Sequence, residues 1–534
     1  MNCSDVITGY LEAAGIKHIF GYPGDPSVEL LESARRNGIE FVLARREGTA
    51  GLMAVAYGQI TGKPGVCLST LGPGSSNLVN AVASAMLDRT PMIALSGQID
   101  GKREHTFTHQ VLDQNAMFAP ISKWVTPIRT DTVATVMRRA LRTAVAERPG
   151  PVHITTGADV VGAKASDTDI RLPPMIRGGG GFEIFTTDSA PDAADMIRSA
   201  RRPVTVAGIG AARAEATDAL TRFAEEYGCP VVVAPMAKGV IAEDHPYFAG
   251  TLDMACNQFV WDFLAGADLI IAAGFDPVEL IKPWTPCAPV IHVDTTTNTD
   301  QIYRSDIEMV GNVSAALDDL RTRIGEGARW REIEIADHRS RLNKMYYAGK
   351  TPGKLNPTDV VDVARAAMPR DTVVTADVGS HKLLVGQGWT TYCPKGVLMS
   401  NGLSSMGYSL PAAMTAKMLM PQREIVCFTG DGGLAMVQGE LRLAASMKLS
   451  MKVIVFCDNS LNRIELKQMA QQYPSSGTTI DPTDVVKLSE SMACDAIEAD
   501  TIAGLEKALS APQAPDRPLV IAANIDPAQY AAQF

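Results

Sequence analysis

The sequence predicts an α/β fold: three domains, each with a parallel sheet flanked by helices. Three observations predict it. In the first third, short apolar runs bounded by Gly and Pro alternate with helical stretches, the pattern of strand–crossover–strand units. In the last third, Glu424 to Phe428 (EIVCF) stops at the turn Gly430-Asp431-Gly432. A helical stretch, Leu434 to Met447, leads to a second apolar run, Met451 to Phe456 (MKVIVF), which ends at Cys457-Asp458-Asn459-Ser460. Finally, the chain has 534 residues, more than a single core usually reaches, and its composition breaks twice. One break, Lys164 to Gly181, holds Pro173, Pro174 and the run Gly178 to Gly181 and reads as an exposed linker; the other is the charged stretch Arg329 to Tyr347. The expected domains are 1–165, 187–324 and 355–534.

In chain order, Asp5 to Ala14 reads as an amphipathic helix capped by Ser4. Ile19-Phe20 leads into the turn Gly21-Tyr22-Pro23-Gly24-Asp25. Phe41 to Ala44 is a short strand that runs into Arg45-Arg46-Glu47-Gly48 and a helix rich in small residues ending near Thr61. Gly65 to Ser69 is the next strand, followed by Gly72-Pro73-Gly74-Ser75-Ser76-Asn77 and another helix; Pro91 to Gly97 is a further strand. Gly101 to Trp124 reads as a polar, irregular loop containing His105, His109, Gln110 and Asp113, and Gly150 to Ile154 closes the domain as its final strand.

The middle third has strands at Pro203 to Ala207, Val231 to Ala234, Leu269 to Ala273 and Val290 to Val293. Its Gly208-Ile209-Gly210 lacks the third glycine of the dinucleotide fingerprint. Pro357 opens the last domain, where a strand from Val373 ends in the turn Asp377-Val378-Gly379-Ser380-His381. A helix from Thr501 to Ser510 and a strand from Pro518 to Ala522 finish it; nothing in the sequence requires the tail, Pro527 to Phe534, to fold over a pocket.

Composition narrows the function classes. Hydrophobic content of 46% and charged content of 20% describe a soluble globular protein. A net charge of −10 gives no electrostatic reason to expect nucleic acid as a partner, and no apolar run reaches the length of a membrane span. Met1-Asn2-Cys3-Ser4-Asp5 lacks the basic-then-apolar pattern of a secretory signal. Nine cysteines without a CxxC pair point to reduced thiols in the cytoplasm, not to a zinc site or a disulfide framework.

The chemistry concentrates at the two carboxylates that end neighbouring strands. Carboxyl ends of parallel strands share one edge, where ligands bind. Two hard oxygen ligands there, Asp431 and Asp458, beside backbone carbonyls, suit Mg²⁺, which in turn holds a diphosphate. Asn459 is the alternative to Asp458 as the second ligand.

This segment resembles that of the thiamine-diphosphate (ThDP) enzymes, within them the acetolactate synthase and pyruvate oxidase group. The flanks match too: Leu403 to Ala413 (LSSMGYSLPAA) before it and Ile464-Glu465-Leu466-Lys467-Gln468 after it. Cys457 departs from the family's first Asn, and Asp458 takes the place of the second, as in related catabolic acetolactate synthases. The resemblance spans nearly the whole chain, in the order pyrimidine domain, central domain, diphosphate domain.

What it implies is specific. Glu47, with Pro73 and Asn77, would meet the aminopyrimidine ring. Gly379, Ser380 (where the family has Gln) and His381 would bind diphosphate oxygens. Met406 would wedge beneath the bent cofactor beside Ser404. Gly430, Asp431, Gly432, Gly433, Asp458, Ser460, Leu461 and Ile464 complete the cofactor site, with Asp431, Asp458 and Ser460 on the metal. His109 and Gln110, and with them Lys123, would line the substrate side, unless His109 is simply a solvated loop residue. Asp25 follows a Pro-Gly where acetolactate synthases carry a small residue and decarboxylases carry Asp; it serves either its own turn or proton transfer. Glu47 would help to free the thiazolium carbon for attack on a 2-oxo acid, pyruvate by default, and the cofactor would act as electron sink while CO₂ leaves. Carboligation to a second carbonyl compound leads; simple decarboxylation to an aldehyde follows. A silent cofactor-binding homologue would have no need of Glu47. The central domain holds FAD in some members; Gly274 to Glu279 resembles the FAD-free ones, so FAD is expected to be absent. In the family the site lies at a subunit interface, which implies a homodimer or homotetramer.

Overall fold

Strands of the interior type build three separate six-stranded sheets, all parallel. The computed structural model describes residues 1–174, 188–300, 302–325, 327 and 329–534, so the glycine run of the expected linker and the expected start of the middle domain at 187 lie outside the described residues. The chain divides into two compact units, Met1–Arg177 with Met414–Leu419, and Gly178–Ala413 with Met420–Phe534.

The first unit holds β1 (His18–Gly21), β2 (Glu40–Leu43), β3 (Gly65–Ser69), β4 (Met92–Gln98), β5 (Trp124–Pro127) and β6 (Pro151–Gly157), in the order β2-β1-β3-β4-β6-β5. Its core is the apolar face of these strands and of the helices over them: Val66, Leu68, Ile93, Leu95, Val152 and Ile154 are fully buried. Two expectations change here. The first helix runs Cys3–Ala13, and its cap is Asn2, not Ser4. The Asn2 side chain accepts from the Asp5 N–H at 2.8 Å while the Asp5 carboxylate accepts from the Asn2 N–H at 3.0 Å, a reciprocal box that satisfies both donors. Ser4 instead donates to the Val161 carbonyl at 2.9 Å. The stretch expected to be an irregular loop up to Trp124 contains a helix, Gln114–Phe118, and leads into β5. β5 is an edge strand of four residues, and the Arg139 guanidinium lies 4.2 Å over its Trp124 ring.

The second unit holds two sheets. β7 (Pro203–Ala207), β8 (Val231–Val233), β9 (Phe248–Thr251), β10 (Leu269–Ala273), β11 (Val290–Asp294) and β12 (Ile307–Val310) run in the order β12-β11-β10-β7-β8-β9. That is the doubly wound dinucleotide order, with its switch point between β7 and β10. β13 (Val373–Ala376), β14 (Val397–Met399), β15 (Ile425–Gly430), β16 (Lys452–Cys457), β17 (Asp495–Ala499) and β18 (Leu519–Asn524) run in the order β14-β13-β15-β16-β18-β17. The last sheet therefore repeats the strand order of the first. The expected Leu434–Met447 helix is two helices, Asp431–Val437 and Gly439–Ser446, and the first begins at the carboxylate itself. The neighbours β15 and β16 pair Gly430 with Phe456, which puts the turn after each at one edge.

Candidate functional site

A cavity of about 330 Å³ opens at the carboxyl edge of β13, β15 and β16. Thirteen residues expected from the sequence line it together: Gly379, Ser380, His381, Ser404, Met406, Gly430, Asp431, Gly432, Gly433, Asp458, Ser460, Leu461 and Ile464. All belong to the second unit.

Its rim is held by backbone hydrogen bonds to carboxylates. One Asp431 oxygen accepts from the Gly432 N–H at 2.7 Å; the other accepts from Asn459 N–H at 2.7 Å and Asp458 N–H at 3.2 Å. The two strand ends are thus tied through one carboxylate. Asp458 lines the cavity with its own carboxylate accepting from Ser460 N–H at 3.2 Å, whereas Asn459 is exposed and in the left-handed region at φ 55°. The Ser460 hydroxyl donates to Glu465 at 2.5 Å. Burial raises the Asp431 carboxyl, and burial followed by the Asp431 charge pushes Asp458 up to about 7. A cation beside the pair would offset both the burial of these carboxylates and the effect of the Asp431 charge on Asp458.

Behind the rim stands Asp377, directly after β13 and fully buried. It accepts from the Gly407 N–H at 2.9 Å, the Val378 N–H at 2.8 Å and the Thr429 hydroxyl at 3.1 Å. It therefore fixes the Met406-Gly407 turn against β15. A Cβ on Gly433 would fall 2.4 Å from an Asp377 oxygen, so only glycine leaves this arrangement intact. Lys382, also buried, donates to the Ser400 carbonyl at 2.7 Å and the Asn401 side chain at 3.1 Å.

His381 has the most informative surroundings. It is buried, its ring stacks on Phe456 at 5.2 Å, and burial pushes the imidazole down to about 3. Its Nε2 is buried without a hydrogen-bond partner. An anion in the cavity would supply that partner. Positions Gly430 and Gly379 both press on this ring, since a Cβ at either would come within 3.0 Å of it. The Met406 methyl lies beside Gly432, along with Leu461.

Some of the lining has no local sequence signal. Tyr530 comes from the tail, where Pro527–Ala532 forms a 3₁₀ turn anchored by Gln529 to Thr358 and followed by Gln533, which donates to the Tyr346 carbonyl. The tail does fold onto the pocket. Ile281 comes from the middle sheet's domain; its N–H and that of Lys282 are held by Asp253 at 2.6 and 3.2 Å.

In the first unit, the remaining expected residues sit at the carboxyl ends of adjacent strands. Glu47 begins the helix after β2 and is buried; the Asn77 amide, from the helix after β3 that Pro73 opens, donates to it at 3.0 Å. Gly74 leaves its other oxygen room, as a Cβ there would approach to 3.0 Å. Gln110 packs its backbone against Gly72, which adopts φ +57°. His109 is exposed, with its ring edge-on to Phe107 at 6.3 Å. Asp25 is exposed after β1; Ser27, not Asp25, closes the turn by hydrogen bonds with Gly24 at 3.1 and 2.7 Å. Lys123 departs from expectation. It lies at the start of β5, the opposite edge of the sheet from Glu47, and its ammonium donates to the Ala146 carbonyl at 2.6 Å.

At the switch point of the middle sheet, the Ile209 N–H is held by the Glu279 carboxyl at 2.8 Å. A Cβ on Gly210 would lie 2.7 Å from Asp294.

Comparison with known proteins agrees with this architecture. Three domain models match in order: thiamine pyrophosphate enzyme N-terminal TPP binding domain at residues 1–117, central domain at 191–320, and C-terminal TPP binding domain at 377–523. The chain is 30% identical over 544 residues to a catabolic acetolactate synthase of Raoultella terrigena, covering 98% of this chain and 95% of that one. It is 26% identical to an acetolactate synthase of Bacillus subtilis (98% and 93% covered) and 31% identical to the acetolactate synthase isozyme 1 large subunit of Escherichia coli (87% and 83%). No helix among the described residues is long and apolar enough to cross a membrane. With its three parallel sheets and full-length relatives, the chain belongs to the thiamine pyrophosphate enzyme family and is an acetolactate synthase-like, ThDP-dependent enzyme.

Proposed function

We propose that the protein decarboxylates a 2-oxo acid with ThDP and Mg²⁺, pyruvate being the default, and joins the remaining fragment to a second carbonyl compound. The observation that carries this reading is the cavity that gathers an unpartnered His381 Nε2, two glycine turns and the Asp431–Asp458 pair at one sheet edge. The residues fit a metal-bound diphosphate. Among the described residues no three His, Cys, Asp or Glu groups cluster around a metal position. Two carboxylates and the Ser460 carbonyl leave positions for diphosphate oxygens, the usual arrangement for Mg²⁺. In this reading, Gly379, Ser380, His381 and Gly430 to Gly433 receive the diphosphate. Ser404, Met406, Leu461 and Ile464 position the rings. Glu47, oriented by Asn77 with Pro73 opening the adjacent helix, moves a proton at the aminopyrimidine nitrogen. ThDP, when bound, supplies a carbon nucleophile and an electron sink for the loss of CO₂. Ile281, Met406, Leu461 and Ile464 give the cavity an apolar side against which the rings can pack.

FAD has no part in this reading. At the switch point the Glu279 carboxyl accepts from the Ile209 N–H and Asp294 lies close to Gly210, which supports leaving FAD out of this reading. One observation favours the decarboxylase alternative: the Asp25 side chain is exposed and Ser27 closes the turn in its place, which leaves that carboxylate for proton transfer together with His109 and Gln110 in this reading. The resemblance further supports a homodimer or homotetramer in the cytoplasm. Product analysis with pyruvate, ThDP and Mg²⁺ tests the proposal. Acetolactate supports carboligation, acetaldehyde moves the protein to the decarboxylases, and no product from any 2-oxo acid refutes both.

A further inference from the structure

The helix Asn462–Ala470 leaves the metal rim and carries Arg463 and Lys467 one turn apart. Both line the cavity. Neither has a carboxylate partner among the described residues: the Arg463 guanidinium lies 4.6 Å over the Phe534 ring of the tail, and Lys467 makes no side-chain hydrogen bond or ion pair. Arg463 is half-buried. Desolvating a guanidinium without a counter-charge is unfavourable, and it persists where a ligand supplies the charge. The carboxylates nearby are committed. Asp431 and Asp458 face the proposed metal, and Glu465 accepts the Ser460 hydroxyl.

We propose that Arg463 and Lys467 form an anion subsite for the second acid group of a dianionic 2-oxo acid, which the enzyme prefers to a monoacid of the same length. The proposal rests on the function proposed above and names its substrate class. Two arguments select a second acid group over the reacting carboxylate. The reacting carboxylate leaves as neutral CO₂, so cations bound to it would stabilise the ground state more than the transition state and slow the reaction. An acid group retained throughout is bound equally before and after, and its binding energy orients the keto carbon. The cavity also divides by chemistry. Ile281, Met406, Leu461 and Ile464 line it with apolar side chains, and the two cations, one turn apart, share one face of the helix Asn462–Ala470.

The test uses the ThDP–Mg²⁺ holoprotein and two unreactive probes of equal length, glutarate and pentanoate, measured by calorimetric titration. Glutarate is expected to bind at least tenfold more tightly. Lys467→Gln and Arg463→Gln should each remove most of that preference, with ThDP affinity unchanged. Equal binding of the two probes overturns the proposal, because the cations would then serve a single carboxylate. So does weaker ThDP binding in either variant, which would assign the cations to the diphosphate. Turnover is scored separately: a tenfold higher kcat/KM for 2-oxoglutarate than for 2-oxopentanoate is expected. If pyruvate and 2-oxopentanoate are consumed well without any preference for the dianion, this subsite is wrong and the proposed function stands. If no 2-oxo acid is consumed, the proposed function is wrong, and the glutarate titration still decides the subsite.

Discussion

Asp458 is where a single residue makes the chemistry measurable. Its carboxyl is held up to about 7, by burial first and by Asp431 second, so in the ligand-free protein it is largely protonated below that pH. A metal ligand must be ionised, so binding Mg²⁺ releases the proton. The affinity for Mg²⁺–ThDP is expected to rise about tenfold per pH unit up to about pH 7 and then level off. The sign for stability is opposite. A carboxyl raised above its unfolded value makes the ligand-free protein lose stability as pH climbs from the ordinary carboxylate range towards 7. Asp458→Asn should flatten both trends and weaken Mg²⁺ retention; titrations at a series of pH values check this, and a pH-independent wild type would rule the assignment out. Glu47 gives a second residue-scale prediction. Glu47→Gln keeps the shape and the Asn77 contact, so ThDP should still bind while kcat falls by about 10²–10⁴-fold. A variant that keeps full activity would remove Glu47 from proton transfer.

At the scale of elements, the site depends on the knot that Asp377 ties between β13, β15 and the Met406-Gly407 turn. Gly433→Ala drives a Cβ to within 2.4 Å of an Asp377 oxygen, which must move and release the Gly407 N–H. A loss of about 1–3 kcal/mol is expected from such overpacking, together with weaker ThDP binding. Denaturant unfolding with and without cofactor measures both, and an unchanged midpoint would show that the turn adapts. Much of this element-level order was legible. The interior strands β3, β7, β10, β13, β15 and β16 stand out as continuous apolar runs because both of their faces are covered. The strands that escaped notice, β5, β9, β12, β14 and β17, are all at sheet edges. They have three to five residues, and most are only partly buried, too short to display a period. The same limit applies to the site. Asp431, Asp458 and the glycine turns stand at strand ends and carry local signals. Tyr530 and Ile281 reach the cavity from the tail and from the middle domain, and no local pattern announces a contact made across that separation. Lys123 failed for the converse reason: it sits beside a strand that the sequence did not reveal, and that strand's direction puts it at the wrong edge.

For the whole molecule, the decisive fact is that the expected site residues are divided between two compact units, with Glu47 in the first and Asp431 and Asp458 in the second. The family resemblance supports active sites shared between copies of the chain, so Glu47→Gln and Asp431→Asn chains should complement one another. Each is expected to be nearly inactive alone; mixed assemblies should recover a substantial fraction of wild-type activity. No recovery in a verified mixed oligomer would mean that each chain supplies its own complete site. Ligand linkage offers a second global readout. ThDP and Mg²⁺ together should raise the thermal transition, by an amount equivalent to about 2.7 kcal/mol at a hundredfold excess over Kd, and either alone should do much less. The central claim, ThDP- and Mg²⁺-dependent decarboxylation of a 2-oxo acid, is tested most directly by CO₂ release. Purified protein would be supplied with pyruvate and then with longer and dianionic 2-oxo acids, omitting ThDP and Mg²⁺ in turn. Release that requires both, accompanied by a product with a new carbon–carbon bond, is the predicted result; release that persists without ThDP, or none from any 2-oxo acid while ThDP is tightly bound, would contradict it.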